Sequence, residues 1–270
     1  MNKILMTAIL LAAAGAGYCA EDSVKTFPAA GLKEISLDTG AGAISVKGAP
    51  GDIQVEVTDN EPEKCALTMK TDGARLILKA EDISVKQGFW KMLFSKGPRS
   101  VSGCRAGFNV TAPPALNIKA DNGSGRINIS AMSGDVAADN GSGPISFEGL
   151  TGNLSADNGS GGISGTCCAK NLHADTGSGG INIKGLCGPV DADAGSGAIR
   201  LQWDKVPSSG QVRAETGSGN IILTFPDSAK LSSKLETSSG RVSNDFDNSG
   251  KFPVSAEAGS GNISLRKAGK

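Results

Sequence analysis

A Gly-Ser-Gly triplet recurs with its first glycine at positions 123, 141, 159, 177 and 195, a spacing of 18 residues each time. Gly217 and Gly259 continue the series at longer spacings, and Ser238-Ser239-Gly240 stands between them. Gly40-Ala41-Gly42 is an earlier, degenerate copy. Such a period marks a repeat architecture, in which each unit hides its apolar face against its neighbours. Other columns keep the same register. Two residues after the second glycine stand Ile127, Ile145, Ile163, Ile181, Ile199, Ile221, Val242 and Ile263. Two further on come Ile129, Phe147, Gly165, Ile183, Leu201, Leu223 and Leu265, with Asn244 as an exception. A small column precedes the triplet: Ala120, Ala138, Ala156, Ala174, Ala192, Ala214 and Ala256, broken by Leu235.

Alternation on both sides of each triplet predicts two short strands per repeat, each with one buried face. Eighteen residues accommodate two strands of about five residues and two tight turns. The expected fold is therefore all-β, a β-solenoid with coils of 18 to 22 residues. An antiparallel meander with Asn-Gly hairpins is the rival. Stacked coils are preferred because they explain why whole columns keep one residue type. The corner glycines read as residues that supply positive φ. A half-period beat, Gly134-Asp135-Val136 and Gly152-Asn153-Leu154, marks the second corner. There Met132, Leu150, Cys168 and Leu186 are expected to line the core. This places Cys168 inside, with Cys167 and Cys187 outside and free to bridge. Cys65 and Cys104 form a second possible disulfide, and no cysteine spacing suggests zinc.

The chain divides into three parts by pattern. Residues 1–20 read as a signal peptide, with Lys3 ahead of an apolar run from Ile4 to Ala14 that is too short to span a membrane. Cleavage fits after Ala16 or Ala20. The alternative is a lipoprotein signal with Cys19 acylated, against which Tyr18 is bulky. Residues 21–118 form a less regular β part, in which the pattern from Ile53 to Val57 predicts the start of the coil after Leu37 to Ile44. Segments near 66–69, 74–78 and 107–112 also alternate as strands. Residues 119–270 carry the regular repeats. Export permits disulfides, and the expected location is periplasmic, cell-surface or secreted.

Composition removes several classes. The 38 glycines do not fall at every third position, which excludes collagen. A 39% hydrophobic content with 27 acids against 27 bases is not that of a disordered chain. The absent basic surplus argues against sequence-blind nucleic-acid binding. Glycines that lead into strands, with no helix and lysine behind them, do not make a phosphate loop.

The run Gly107-Phe108-Asn109-Val110-Thr111-Ala112-Pro113, then Leu116-Asn117-Ile118-Lys119-Ala120 and the first Gly-Ser-Gly-x-Ile, resembles the bacterial putative-adhesin β-strand repeat family. The likeness covers roughly residues 33 to 266. It implies an exported β-solenoid attached to or acting near the cell surface, and it brings no catalytic residues.

Three groups of residues stand out as candidates for function. Phe89, Trp90 and Phe94 lie among bases in the segment 86–96, outside the repeat. They read as a cap over the solenoid's open end or as a contact for a partner or membrane. Asp121, Asp139, Asp157, Asp175 and Asp193, continued by Glu215, Glu236 and Glu257, form an acidic ladder after the alanine column. Aspartate precedes the glycine corner here, whereas calcium β-rolls place it after, so no metal is assigned. Ser155, His173 and Asp191 fall on successive rungs in the order nucleophile, base and orienter. They read as solvent surface, since no oxyanion donor accompanies them. No cofactor is implied. The expected function is non-enzymatic, an adhesin-like scaffold for a cell-envelope glycan or protein. The alternatives are an envelope structural or stress-associated module and, further behind, a carbohydrate-active enzyme.

Overall fold

Each 18-residue period folds as one coil, with a strand on each of two facing sheets. The computed structural model describes residues 24–83 and 103–269. Its regular part pairs β8 (Asn117–Asn122), β10 (Val136–Asn140), β12 (Leu154–Asn158), β14 (Leu172–Thr176), β16 (Val190–Ala194) and β18 (Val212–Ser218) in parallel in one sheet. The opposite sheet carries β9 (Ile127–Ser130), β11 (Ile145–Leu150), β13 (Ile163–Cys167), β15 (Ile181–Leu186), β17 (Ile199–Trp203) and β19 (Ile221–Phe225), also parallel. Parallel register rules out the meander. The isoleucine and alanine columns face each other across the interior, each member buried from Ile127 to Ile221 and from Ala120 to Ala214.

The triplet glycines are there for a different reason from positive φ, and the sequence-based expectation is corrected here. None of the glycines from Gly123 to Gly219 in these triplets has a left-handed φ. What each one lacks space for is a Cβ. At Gly125 a Cβ would lie 2.1 Å from the Gly42 carbonyl oxygen, at Gly143 1.9 Å from that of Gly125, and at Gly197 1.7 Å from that of Gly179. The first glycines of the triplets are equally confined, 2.4 Å at Gly141 and 2.5 Å at Gly159. Successive corners thus lie backbone on backbone, tied by hydrogen bonds such as those that Gly141 N–H donates to Asn122 O and Gly159 N–H to Asn140 O, both 2.9 Å.

Just inside this corner runs a buried polar column: Thr39, Asn122, Asn140, Asn158, Thr176 and Thr216. The amides of Asn122, Asn140 and Asn158 donate to the carbonyls of Gly42, Gly125 and Gly143, at 2.8, 2.7 and 2.8 Å. Their oxygens accept from the N–H groups of Gly125, Gly143 and Gly161. The corner backbone, too tight for side chains of its own, is satisfied by the asparagine that precedes it.

The second corner departs from strict 18-residue register, and this reassigns the cysteines. Ala131, Gly149 and Gly185 occupy equivalent positions and take φ of 55°, 64° and 73°. The bulge that follows in β11 sets Leu150 opposite Cys167. Position 167 is the equivalent in the next coil, but it does not adopt that conformation, so Cys167 points inward and is buried as a free thiol. Burial pushes that thiol's pKa up. The core ladder is therefore Met132, Leu150, Cys167 and Leu186, with Leu186 opposite Trp203. Cys168 is displaced to the surface and bridges Cys187, with Cα atoms 4.9 Å apart. Cys187 does bridge, then, but its partner is Cys168 and not Cys167. Cys65 is joined to Cys104.

Both ends depart from simple stacking. β2 (Glu34–Thr39) and β3 (Ile44–Gly48) lie directly against β8 and β9. On their outer side sit β6 (Arg75–Asp82) and β7 (Gly107–Ala112), which come later in the chain. β4 (Ile53–Thr58) does not begin a stacked coil as its pattern suggested. It runs antiparallel to β7, with β1 (Lys25–Phe27) antiparallel beyond it. β5 (Cys65–Asp72) turns back antiparallel on β6 and closes the other sheet. At the opposite end β22 (Phe252–Ser260) and β23 (Ile263–Lys267) insert between β18/β19 and the outermost pair, β20 (Leu231–Ser239) and β21 (Val242–Asn244).

In the outermost C-terminal coil part of the apolar pattern turns polar, although Leu235 and Val242 keep it. Ser233 takes the place matched by Val254, and Asn244 the place matched by Leu265. Asn248 binds Ser233 N–H and hydroxyl through its oxygen, both 2.6 Å, and Asn244 donates to the Ser233 hydroxyl at 3.0 Å. The break at Asn244 in the sequence pattern is thus a polar lid on the core, a device repeat proteins need at their termini. Phe89, Trp90, Phe94 and Cys19 lie outside the described residues.

Gly143→Ala tests the corner argument. The methyl must force the coils apart, at a cost of about 1–3 kcal/mol or more, whereas Gly51→Ala, with open space around its Cβ, is strained only by its φ of 122°. Chemical denaturation of both variants should show the larger loss at Gly143.

Candidate functional site

The outward faces of β8 to β18 carry side chains in columns, because identical register sets equivalent positions one strand spacing apart, roughly 4.8 Å. Nearest the second corner stand Asn117, Asp135, Asn153 and Asn171. They form a chain of hydrogen bonds: Asp135 N–H to Asn117 Oδ1 at 2.9 Å, Asn153 Nδ2 to Asp135 Oδ1 at 3.0 Å, and Asn171 Nδ2 to Asn153 Oδ1 at 2.9 Å. Each side-chain oxygen accepts from the residue on the next rung, so the row is tied together along the stack. The pattern that could have revealed it was in the sequence, in the half-period Gly-Asp-Val and Gly-Asn-Leu beats, but it read only as a turn.

Beside this row lies a second column containing Lys119, Ser155, His173, Asp191 and Arg213. Together they line an open groove of about 730 Å³ that extends from Glu34 on β2 to Gln211 and Arg213 at β18. Six strand spacings give it a length of about 29 Å. The floor is strand backbone over Val136, Leu154, Leu172 and Val190, whose side chains point into the core.

Ser155, His173 and Asp191 are brought onto adjacent rungs, as their register requires. Their contacts are not those of a serine–histidine pair. The Ser155 hydroxyl donates to Asp157 Oδ2 at 3.3 Å. His173 sits between two carboxylates instead, Nε2 3.7 Å from Asp157 and Nδ1 3.6 Å from Asp191, with all three side chains about half exposed. The imidazole lies between Asp157 of the acidic ladder and Asp191 of its own column.

The third column is the acidic ladder. Asp121, Asp139, Asp157, Asp175, Asp193 and Glu215 face one another rung by rung, with Glu257 and Glu236 beyond. Basic neighbours offset part of the repulsion, Lys79 binding Asp38 at 3.0 Å and Arg213 binding Glu215 at 2.7 Å. Partial burial raises the pKa of Asp121, helped by Asp139 and Asp38. Burial likewise raises that of Asp193, with Asp175 and Glu215 adding to it. Among the described residues no group of three or more such side chains is arranged to hold a metal ion. The face therefore presents hydrogen-bonding edges and negative charge in fixed rows along the stacking axis.

A carboxyl whose folded pKa is raised binds more protons folded than unfolded, so its contribution to stability falls as pH rises from the unfolded value to the raised one. Asp121→Asn and Asp193→Asn should each raise neutral-pH stability by roughly 0.2–1 kcal/mol, the range of exposed charge interactions. Denaturation at pH 3.5 and pH 7 should show that gain vanish at the lower pH.

A structure of a putative adhesin from Bacteroides fragilis shares the fold, with a TM-score of 0.53, 18% identity, and coverage of 90% of this chain and 96% of that one. A putative adhesin from Parabacteroides distasonis (TM-score 0.47, 15% identity, 91% and 96% covered) and a putative lipid binding protein from the same organism (0.44, 18%, 91% and 96%) are also similar. No functionally curated protein matches the chain. The Toastrack DUF4097 family is matched over residues 32–266, so the repeat, the coil geometry and this span together establish that the chain belongs to it.

Proposed function

We propose that this protein is an exported, non-enzymatic scaffold with an adhesin-like role, holding a cell-envelope glycan or protein along the groove of the second-corner sheet. The observation that carries the reading is the hydrogen-bonded row from Asn117 to Asn171 along that groove. Amide and carboxylate edges at a constant spacing suit a linear, hydroxyl-rich polymer, which is recognised by hydrogen bonds from groups already held in place. The description of the Bacteroides fragilis relative as a putative adhesin agrees with it. So does the Ser155–Asp157 contact, which turns the serine hydroxyl to Asp157 and not to His173. Export rests on the pattern of residues 1–20, with tethering through Cys19 or the 86–96 segment as its membrane-linked form.

The test is capture of envelope material by the immobilised chain, together with glycan-array binding. Asn153→Ala combined with Asn171→Ala should weaken capture at least tenfold while leaving the fold intact. Release of reducing sugar from a bound glycan would contradict the non-enzymatic reading, and capture indifferent to the double substitution would contradict the groove.

A further inference from the structure

The 18-residue coils leave no loops to wall a site, but the longer C-terminal coils do. Residues 207–210 and 249–253, with Lys230, line a second cleft of about 510 Å³, which meets the groove at Gly210. Leu231 is opposite Phe252 in parallel register, so the residues just before them, Lys230 and Lys251, stand on neighbouring rungs. Gly250 sets this approach. A Cβ there would lie 1.9 Å from the Lys230 carbonyl carbon, and its N–H donates to Leu231 O at 3.0 Å.

Two lysines on neighbouring backbone rungs thus line one cleft. Both lysines are exposed, and among the described residues neither forms a direct ion pair. No carboxylate lines the cleft. Asp247 feels Lys230 at longer range, and its own oxygen is engaged by the Ser249 hydroxyl at 2.8 Å and N–H at 3.2 Å. This is a reversal of the surrounding chemistry, since the same sheet presents an acidic column from Asp121 to Glu257. An anionic ligand repelled by that column meets two cations here, with exposed hydroxyls at Ser208 and Ser209 and, at the edge of the cleft, Phe252, which also packs against the core. Paired cations, hydroxyls and one aromatic face fit a sugar ring that bears a negative group.

We propose that this cleft binds an anionic saccharide, its carboxylate or phosphate between Lys230 and Lys251 and its ring against Phe252. The saccharide part rests on the glycan reading above; the charge part rests on the cleft alone. Titration calorimetry of the full chain at low salt, using trigalacturonate, its fully methyl-esterified form and glucose 6-phosphate, tests it. Trigalacturonate should bind, with the neutral ester at least tenfold weaker. Lys230→Gln combined with Lys251→Gln should lose at least tenfold in affinity at unchanged melting temperature, both side chains being on the surface. Competition by glucose 6-phosphate supports a phosphate ligand, and its absence a carboxylate one. Equal binding of acid and ester, no binding of either anion, or full binding by the double variant would overturn the site. The Asn153→Ala, Asn171→Ala protein should keep full anion binding, so that loss of envelope capture in that variant reports on the groove and not on the cleft.

Discussion

Everything in this structure depends on how closely two chain corners can approach. A strand pair in a sheet is held roughly 4.8 Å apart by its ladder, and the corner between two strands must keep that same rise. With a side chain at the corner the backbones could not stay in step, and the 1.7 Å gap between a notional Gly197 Cβ and the Gly179 oxygen measures how little room there is. Glycine at the corner lets both sheets rise together. The asparagine before it then satisfies the corner's exposed amides from inside the core. The face of the proposed groove is a by-product of this constraint, since only coils in constant step can set Asn117, Asp135, Asn153 and Asn171 within hydrogen-bonding reach along the row.

The same constraint makes the ends a problem, because a stack of identical coils offers an open core and free edges. The chain solves it differently at its two ends. The N-terminal end is closed by antiparallel strands and stapled between Cys65 and Cys104. The C-terminal end keeps its parallel strands but replaces core residues with the Ser233–Asn244–Asn248 network. At both ends the outermost coil is separated from its sequence neighbour by an inserted pair, so the last coils are tied in by crossing connections.

Much of this was legible in the residues. The isoleucine and alanine columns gave the coil length, the two-strand coil and the parallel register, because burial repeats with the period of the stack. The order of the acidic ladder and of Ser155, His173 and Asp191 followed from the same count. What failed did so where local backbone overrides the period. One bulge residue, present at Gly149 and Gly185 but missing at Cys167, exchanges the roles of Cys167 and Cys168, and a count of 18 cannot register it. β4 alternates like any other strand, and alternation carries no information about strand direction. The polar row and the lysine pair were missed for another reason. Asparagine beside glycine looks like a turn, and Lys230 and Lys251 are 21 residues apart in a region where the period is irregular.

The central claim is that each glycine corner advances the stack by one coil, so that Lys119 and Arg213 lie on one face five strand spacings apart. Spin labels at these two positions, read by pulsed electron resonance, test it directly. The solenoid predicts a backbone separation of about 24 Å, whereas a sheet in which both strands of every repeat lie side by side would require about 48 Å. A distribution centred near the longer distance would contradict the account.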